Sequence, residues 1–162
     1  MRVVIPHTAV HPVTLEAAPE HAEWIDVSVD GEAYWRAMCE WWADGETFIV
    51  LEHDVICRPD VLQGFESCDC AWAAHKYDDM CCPECSEAWA NTLGATRFTA
   101  DLIAAVPGAA SSIPPNLRHW TNMCDGLGNN LRAAGFTHHW HGEIEHHHMT
   151  LNDPRVAALI GG

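Results

Sequence analysis

Basic residues are scarce in this chain, and lysine is the scarcest. The 162 residues include 8 Lys+Arg against 23 Asp+Glu, which gives a formal net charge of -15 at pH 7. Lys76 is the single lysine. A surface so poor in cations lacks the broad positively charged area that binds nucleic-acid backbones. The charge balance therefore excludes electrostatic binding of DNA or RNA over a wide face.

Long apolar runs are missing as well. The longest, residues 47–51 and 156–160, fall far short of the roughly 20 residues that a membrane-spanning helix needs. The first residues, Met-Arg-Val-Val-Ile-Pro-His, contain no hydrophobic signal region. With 48% hydrophobic residues the chain can still build a core. We therefore expect one soluble, cytoplasmic domain over residues 1–162, with a core at 3–148, a tail at 149–162 and no membrane partner.

Hydrophobic periodicity predicts alternating strands and helices. Predicted strands occupy residues 3–5, 24–29, 47–51, 67–76 and 136–141, and predicted helices occupy residues 34–42, 59–65, 86–93, 100–106 and 120–131. Residues 7–23, 96–98 and 107–115 are expected to form loops or short links. Alternation of this kind is typical of an α/β fold, here a three-layer α/β/α sandwich with a mainly parallel sheet. In such folds, ligands bind outside the carboxyl ends of the strands.

Two carboxylates follow the predicted buried strand 47–51. Glu52 and Asp54 lie two positions apart, so on an extended chain they point the same way. Like charges that converge repel each other unless a cation lies between them. Oxygen ligands suit Mg²⁺ or Mn²⁺, and these ions leave positions open for substrate phosphates. The pattern predicts a divalent-cation site, with an ordinary solvated strand end as the alternative.

Histidines crowd residues 138–148, where two glutamates are interleaved with them. On an extended chain His139 and His141 share one face, and His146 and His148 share another. Imidazole is the side chain that most often ligates transition metals. The segment is therefore a candidate second source of metal ligands. The alternative is a surface histidine cluster that holds no ligand.

Five of the eight cysteines lie within residues 68–85. Cys82 and Cys85 have the Cys-x-x-Cys spacing of zinc ligands, and Cys68 with Cys70 could complete a four-thiolate structural zinc site. Disulfides and plain buried thiols are the alternatives.

Tryptophans divide into two groups by their surroundings in the sequence. Helix-face spacing predicts a core position for Trp35, Trp41, Trp42 and Trp120. Three others flank polar clusters, where an aromatic face could stack a base or a sugar, although packing is the simpler role: Trp72, Trp89 and Trp140.

The order of these features resembles the small GT-A-type glycosyltransferases encoded by bacteriophages, including those associated with modified phage DNA bases. The resemblance covers most of the chain, roughly residues 3 to 148. It is carried by Pro6-His7-Thr8 after the first strand, the phrases 48–62 and 93–98, Trp120-x4-Asp125 and the terminal His-x-His block.

The resemblance implies that a nucleoside-diphosphate sugar binds at the carboxyl ends of the strands together with Mn²⁺ or Mg²⁺. Asp54 and Glu52 would then ligate the metal, with His146 or His148 as the distant ligand. The implied contacts to the nucleotide sugar are Pro6, His7, Thr8, Glu52, His53 and Arg97. A glutamate stands where the family pattern has the first aspartate, which is a departure from that pattern.

The resemblance also implies that Asp125 is the base that activates an acceptor hydroxyl. The acceptor would be a modified DNA base or a small molecule. A DNA acceptor would have to meet a small local patch, for which Arg97, Arg118 and Arg132 are the candidates.

Two other functions compete with sugar transfer at this stage. One is a zinc-binding interaction module built on the cysteines of residues 68–85. The other is a metal-dependent phosphoester hydrolase that uses the histidines and carboxylates. The sequence leaves open which sugar and nucleotide are used, whether transfer inverts or retains the anomeric configuration, and the oligomeric state.

Overall fold

The structure, a computed structural model, describes residues 1–77 and 93–146. Its elements in chain order are β1 (Arg2–His7), α1 (Pro12–Ala17), β2 (Glu23–Asp26), α2 (Ala33–Asp44), β3 (Phe48–Leu51), α3 (Pro59–Glu66), β4 (Trp72–Tyr77), β5 (Ala95–Phe98), α4 (Ala100–Ala105), a 3₁₀ helix (Pro115–Leu117), α5 (Met123–Ala133) and β6 (His139–Ile144). None of the helices within these ranges is long and apolar enough to cross a membrane.

All six strands form one sheet in the order β2-β1-β3-β5-β4-β6. The β1–β2, β1–β3 and β4–β6 pairs are parallel, whereas β5 runs antiparallel to both β3 and β4. Five strands therefore point in one direction and only β5 opposes them. The predicted α/β fold with a mainly parallel sheet is confirmed. The carboxyl ends of those five strands meet at one edge of the sheet, and β5 begins at that same edge.

Two hydrophobic cores lie on opposite faces of the sheet, because neighbouring residues of a strand point to opposite sides. Val50 packs with side chains of α2, α4 and α5 on one face. Ile49 packs with Val61 and Phe65 of α3 on the other face. This is the expected three-layer arrangement, with the sheet buried between helices.

Local sequence signals explain where several helices begin and end. Pro59 occupies the start of α3, where its missing N–H and fixed φ are no handicap. The hydroxyl of Thr99 accepts a hydrogen bond from the Leu102 N–H and caps α4. Gly45 ends α2 with a φ of 72°, a conformation that costs glycine little. These three boundaries agree with the sequence signals.

Two segments expected to be irregular are regular elements, which corrects the prediction. Helix α1 lies within the predicted loop 7–23, and its cap is the His11 ring, whose Nδ1 accepts from the Val13 N–H at 3.2 Å. Histidine is not among the usual capping residues, so the sequence offered no start signal. Strand β5 replaces the predicted link 96–98. At four residues with a central arginine, it lacks the length and apolar run that would identify a buried strand.

Trp120 is the exception among the tryptophans predicted to lie in the core. Helix α5 begins at Met123 rather than at Trp120, which therefore precedes the helix and is 53% exposed. Trp41 and Trp42 are buried as expected, each 3% exposed. Residues 86–92 of the predicted helix 86–93 and the tail 149–162 lie outside the described residues, and Leu93 is not helical.

Phe98 is the centre of the larger core. Its ring lies 5.3 Å from that of Trp42, 5.4 Å from that of Phe48 and 6.3 Å from that of Trp72. Because β5 lies between β3 and β4, this one side chain joins both halves of the sheet to α2. Its packing therefore fixes the antiparallel strand in place.

We expect Phe98→Ala to lower the free energy of unfolding by about 3–5 kcal/mol, through lost burial and the cavity left behind. Urea denaturation monitored by circular dichroism measures this. Val29→Ala is the matched control, since Val29 is 78% exposed and its truncation should change stability by less than about 0.5 kcal/mol. Equal effects of the two substitutions would contradict this account of the core.

Histidines pack between the edge strand β6 and its neighbours. The rings of His75 and His141 stack at 5.6 Å, and His138 lies edge-on to Trp72 at 4.8 Å. Burial lowers the pKa of all three rings below the usual value. A nearby charge lowers each pKa further: that of His141 for His75, that of Arg132 for His138 and that of His139 for His141. The folded state therefore favours neutral rings here.

Stability should consequently fall as the pH drops through about 6.5, because the unfolded chain then binds more protons than the folded one. Chemical denaturation between pH 7.5 and 5.5 measures this loss. We expect His75→Phe to flatten the profile, whereas the same change at the exposed His21 should leave it intact. A profile unaltered by His75→Phe would refute the role of this ring.

Candidate functional site

The segment that follows β3 is held by three different neighbours at the carboxyl edge of the sheet. The Glu52 N–H donates to the Gly94 carbonyl at 2.8 Å, just before β5, and the His53 carbonyl accepts from the His11 N–H at 3.3 Å. The Ile56 N–H donates to the Glu145 carbonyl at 2.9 Å, just after β6. Residues 52–56 are thus fixed by the chain beyond β1, before β5 and beyond β6.

Asp54 and His146 form the central pair of this site. An antiparallel bridge between Val55 and His146 brings the two chain segments together. His146 Nε2 lies 3.1 Å from Asp54 Oδ2. Burial alone would raise the pKa of Asp54, but the hydrogen bond from His146 and the charges of His53 and His146 outweigh it and lower the pKa. Asp54 is therefore an anion at neutral pH.

The second oxygen of Asp54 has no hydrogen-bond partner among the described residues, although it is buried. Buried polar atoms in native proteins are almost always satisfied, and an exception often marks the place of an ion or a ligand. A carboxylate oxygen in this state has the chemistry of a ligand for a hard divalent cation.

Glu52 sits beside this pair with a different partner. The Tyr77 hydroxyl donates to Glu52 Oε2 at 2.6 Å. Burial raises the pKa of Glu52, the nearby negative charge of Asp54 raises it further, and the hydrogen bond from Tyr77 partly offsets both. The two carboxylates therefore differ: Asp54 keeps its charge firmly, whereas Glu52 holds a proton more readily. A cation bound between them would favour the charged form of both.

Tyr77 links Glu52, to which its hydroxyl donates, with His146, the partner of Asp54. The ring stacks on His146 with the centroids 4.0 Å apart and the planes 3° from parallel. It also lies directly over Gly94, where a Cβ atom would come within 2.0 Å of the Tyr77 ring. Only glycine leaves room for the tyrosine at that place. Tyr77 was missed in the sequence, although its position at the end of a strand pairs it with the other strand ends.

Tyr34 and Cys124 approach the same carboxylates from the helices on one face. Burial raises the pKa of Tyr34 well above its ordinary value, and the charges of Glu52 and Asp54 add to this. Burial likewise raises the pKa of Cys124 to about 12, with Glu52 again contributing. The Tyr34 hydroxyl is buried without a hydrogen-bond partner among the described residues. Both groups are therefore neutral at physiological pH, and the first turns of α2 and α5 lie near the acids.

The predicted metal ligands are brought together in part. Asp54, Glu52 and His146 form one connected cluster, while His148 lies outside the described residues. Within residues 1–77 and 93–146, no three histidine, cysteine, aspartate or glutamate side chains stand in a geometry that could hold a metal ion. The reason is visible at the site: Glu52 is turned to Tyr77, and Asp54 Oδ2 is turned to His146. The unpartnered Asp54 oxygen is a single potential oxygen ligand for a divalent cation.

The predicted nucleoside contacts lie at the same edge, on the neighbouring strand. Pro6 and His7 end β1, and the parallel pairing of β1 with β3 places residues 6–8 level with residues 52–54. The His7 ring contacts Trp24 edge-on at 5.9 Å, and Thr8 is exposed. His53 also lies here, half-buried.

Arg97 lies away from these groups. It is 5% exposed in β5, and its guanidinium donates to the backbone carbonyls of Phe65 and Cys70. It therefore joins the end of α3 to the start of β4 rather than reaching the cluster of Glu52 and Asp54. A buried arginine also cannot belong to a surface patch for DNA, which corrects that expectation.

Cys68 and Cys70 lie just before β4, at the edge of the sheet opposite to Glu52 and Asp54. The Cys70 N–H donates to Cys68 Sγ at 3.4 Å, and the two cysteines are free thiols. Cys82 and Cys85 lie outside the described residues, so the four-thiolate zinc site stays a prediction.

Asp125 is an exposed residue in the first turn of α5. Its neighbour in the chain, Cys124, is close enough to Glu52 for that charge to influence its pKa. Asp125 therefore lies one residue along the helix from a side chain that feels the charge of Glu52.

Comparison with known proteins identifies a similar structure but no sequence family. No family model and no curated protein matches this chain. Its fold is similar to the crystal structure of a glycosyltransferase involved in the glycosylation of the major capsid of PBCV-1, with a TM-score of 0.53 and 12% sequence identity. The alignment covers 93% of this chain and 84% of that one. The two proteins share a fold.

The two tyrosines of the site allow a matched test of the geometry. We expect Tyr34→Phe to stabilise the protein by about 1 kcal/mol, because it removes a buried hydroxyl that lacks a partner. Tyr77→Phe should destabilise it by about 1–3 kcal/mol, because it removes a hydrogen bond to a buried carboxyl. Urea denaturation at pH 7 compares both variants with the wild type. Destabilisation by Tyr34→Phe would show that its hydroxyl has a partner after all.

Proposed function

We propose that this protein is a divalent-metal-dependent glycosyltransferase that moves a sugar from a nucleoside-diphosphate sugar to an acceptor hydroxyl. One observation carries the proposal: Asp54 has a charged, buried and unpartnered oxygen at the carboxyl edge of the sheet. Glu52 and His146 lie beside it. The shared fold with a viral glycosyltransferase supports the same reading.

Asp54, Glu52 and His146 would hold the cation, with Mn²⁺ or Mg²⁺ as the ions that such oxygen-rich sites prefer. When bound, the cation would offset the charge that develops on the departing diphosphate. Residues 6–8 on the adjacent strand would contact the nucleoside. Tyr77 orients Glu52 through its hydroxyl and His146 through its ring, so it holds both of these groups in position for the donor.

In the transfer step, the acceptor oxygen bonds to the anomeric carbon as the bond from that carbon to the diphosphate oxygen breaks. The acceptor proton goes to a base, for which the exposed Asp125 in the first turn of α5 is the candidate. The buried phenol of Tyr34 and the thiol of Cys124 stay neutral. They border the carboxylates without adding negative charge, which favours the approach of an anionic diphosphate.

Thermal denaturation tests the donor half of this proposal. Mn²⁺ with uridine, guanosine or thymidine diphosphate should raise the Tm by several degrees, as binding to the folded state alone requires. Asp54→Asn should abolish the rise and sugar transfer while the circular dichroism spectrum is retained. Asp101→Asn, at an exposed position on α4, is the matched control and should keep the full effect.

No Tm rise in the wild type with any of these diphosphates and Mn²⁺ would contradict the proposal. So would an Asp54→Asn variant that responds like the wild type. Metal-dependent cleavage of a generic phosphodiester, without any response to nucleotide, would instead favour the hydrolase alternative.

A further inference from the structure

Three histidines that the proposed function does not use form a cluster on the face of the sheet that carries α3. His75 lies in β4, and His139 and His141 lie two positions apart in the neighbouring strand β6. The ring of His141 contacts both of the others, with its centroid 5.6 Å from that of His75 and 4.8 Å from that of His139. Phe65 of α3 covers the cluster, edge-on to His75 at 5.1 Å and to His141 at 5.8 Å. These three side chains are called the imidazole cluster below.

An irregularity in the pairing of β4 with β6 produces this arrangement. The register shifts between Ala74 and Lys76, where β6 contains an extra residue. Gly142, next to His141, has a φ of 135°, which disfavours any residue with a side chain. Such bulges turn neighbouring side chains in new directions and are frequent beside functional sites. Here the bulge lies where the His141 ring meets that of His75.

The nitrogens of the imidazole cluster are short of hydrogen-bond partners. His75 is only 7% exposed, yet among the described residues neither its Nδ1 nor its Nε2 has a partner, and the same is true of His141 Nε2. The Glu143 carbonyl is close enough to influence the His75 ring but makes no hydrogen bond of ordinary geometry with it. Because buried polar atoms are almost always satisfied, unpartnered nitrogens on two contacting rings indicate a ligand site. Burial lowers the pKa of both rings, which favours the neutral form that ligates metals.

The spacing of the rings suits a shared metal ion. An ion about 2.0–2.1 Å from a ring nitrogen lies roughly 3.2 Å from the ring centre, so two rings that share it have centres about 4.5–5.5 Å apart. The observed separations of 4.8 Å and 5.6 Å lie in or beside this range. As the rings stand, no three such side chains of the described residues have a metal-binding geometry. Rotation about the bond that joins each ring to its Cβ is soft, and it would turn the nitrogens toward one point while the ring centres stay nearly in place.

We infer that His75, His139 and His141 bind a divalent transition-metal ion of the class of Zn²⁺, with water in the fourth position. Imidazole nitrogens suit Zn²⁺, Cu²⁺ and Ni²⁺, whereas carboxylate oxygens suit Mg²⁺ and Mn²⁺, so this site differs in its chemistry from that of Asp54. The net charge of -15 favours the approach of any cation. Because β6 is an edge strand paired only with β4, an ion held by both strands fastens the edge of the sheet.

Titration of the metal-free protein with Zn²⁺, followed by long-range ¹H–¹⁵N NMR of the histidine rings, tests the site. The ring signals of His75, His139 and His141 should shift together, at one equivalence point. His139→Ala should weaken the binding seen at the other two rings by roughly tenfold or more, since even outer partners of a metal site contribute that much. His139 is exposed, so the variant should keep the circular dichroism spectrum of the wild type. His21→Ala, at another exposed histidine, is the matched control and should leave the titration unchanged.

The inference is overturned if Zn²⁺ leaves the three ring signals in place, or if His139→Ala binds Zn²⁺ at His75 and His141 as tightly as the wild type. Zinc held elsewhere, with shifts confined to cysteines or to other histidines, would overturn it as well. The Tm rise with Mn²⁺ and diphosphate, measured on the same variants, separates the two proposals. His139→Ala should keep that rise, and its absence in the wild type would count against the proposed function instead.

Discussion

The contact between Asp54 and His146 is the constraint on which the carboxyl edge of the sheet depends. In the sheet, β3 and β6 are separated by β5 and β4, so their axes lie roughly 14 Å apart at ordinary strand spacing. The chain segments beyond them nevertheless meet, at the bridge between Val55 and His146. They must cross above the ends of β5 and β4. Those ends carry Gly94, which offers no side chain, and Tyr77, whose flat ring fills the crossing.

One network therefore serves both packing and chemistry. The ring of Tyr77 supports His146, its hydroxyl holds Glu52, and His146 in turn keeps Asp54 ionised. Burial raises the pKa of Glu52, whereas the pKa of Asp54 is lowered, so two acids only two residues apart differ in how readily they hold a proton. Such a pair tolerates close approach in the unliganded protein, because the charge of only one of them is strongly favoured. A bound cation would then change the balance by favouring both charges at once.

Periodicity was sufficient for the larger elements of the fold. The apolar face of α2, the buried run of β3 and the proline that begins α3 each predicted an element close to its true bounds. Short elements held by tertiary contacts could not be found this way. Helix α1 depends on a histidine cap, and β5 depends on having a strand on each side. Neither feature is visible in a window of sequence.

The candidate site could likewise be predicted only in part from the sequence. Glu52 and Asp54 were predicted as metal ligands from their residue types and spacing, and the resemblance added His146. The structure places the three side chains next to one another, but among the described residues no three such side chains have a geometry that could hold a metal ion. Tyr77 was missed because its role comes from partners distant in sequence. The resemblance placed Arg97 at the donor, and the burial of Arg97 in β5 could not be predicted from its residue type. Trp120 had helical spacing, but the helix begins three residues later.

The close approach of Tyr77 to Gly94 has a consequence for how relatives of this chain vary. A side chain at position 94 and an aromatic ring at position 77 exclude each other, since their atoms would occupy the same space. Homologous sequences should therefore change at these two positions together, with a larger residue at 94 accompanied by a smaller one at 77. Paired carboxylates alone are too common a pattern to identify such relatives in an alignment. Covariation of positions 94 and 77 would identify the relatives in which the segments beyond β3 and β6 meet in the same way.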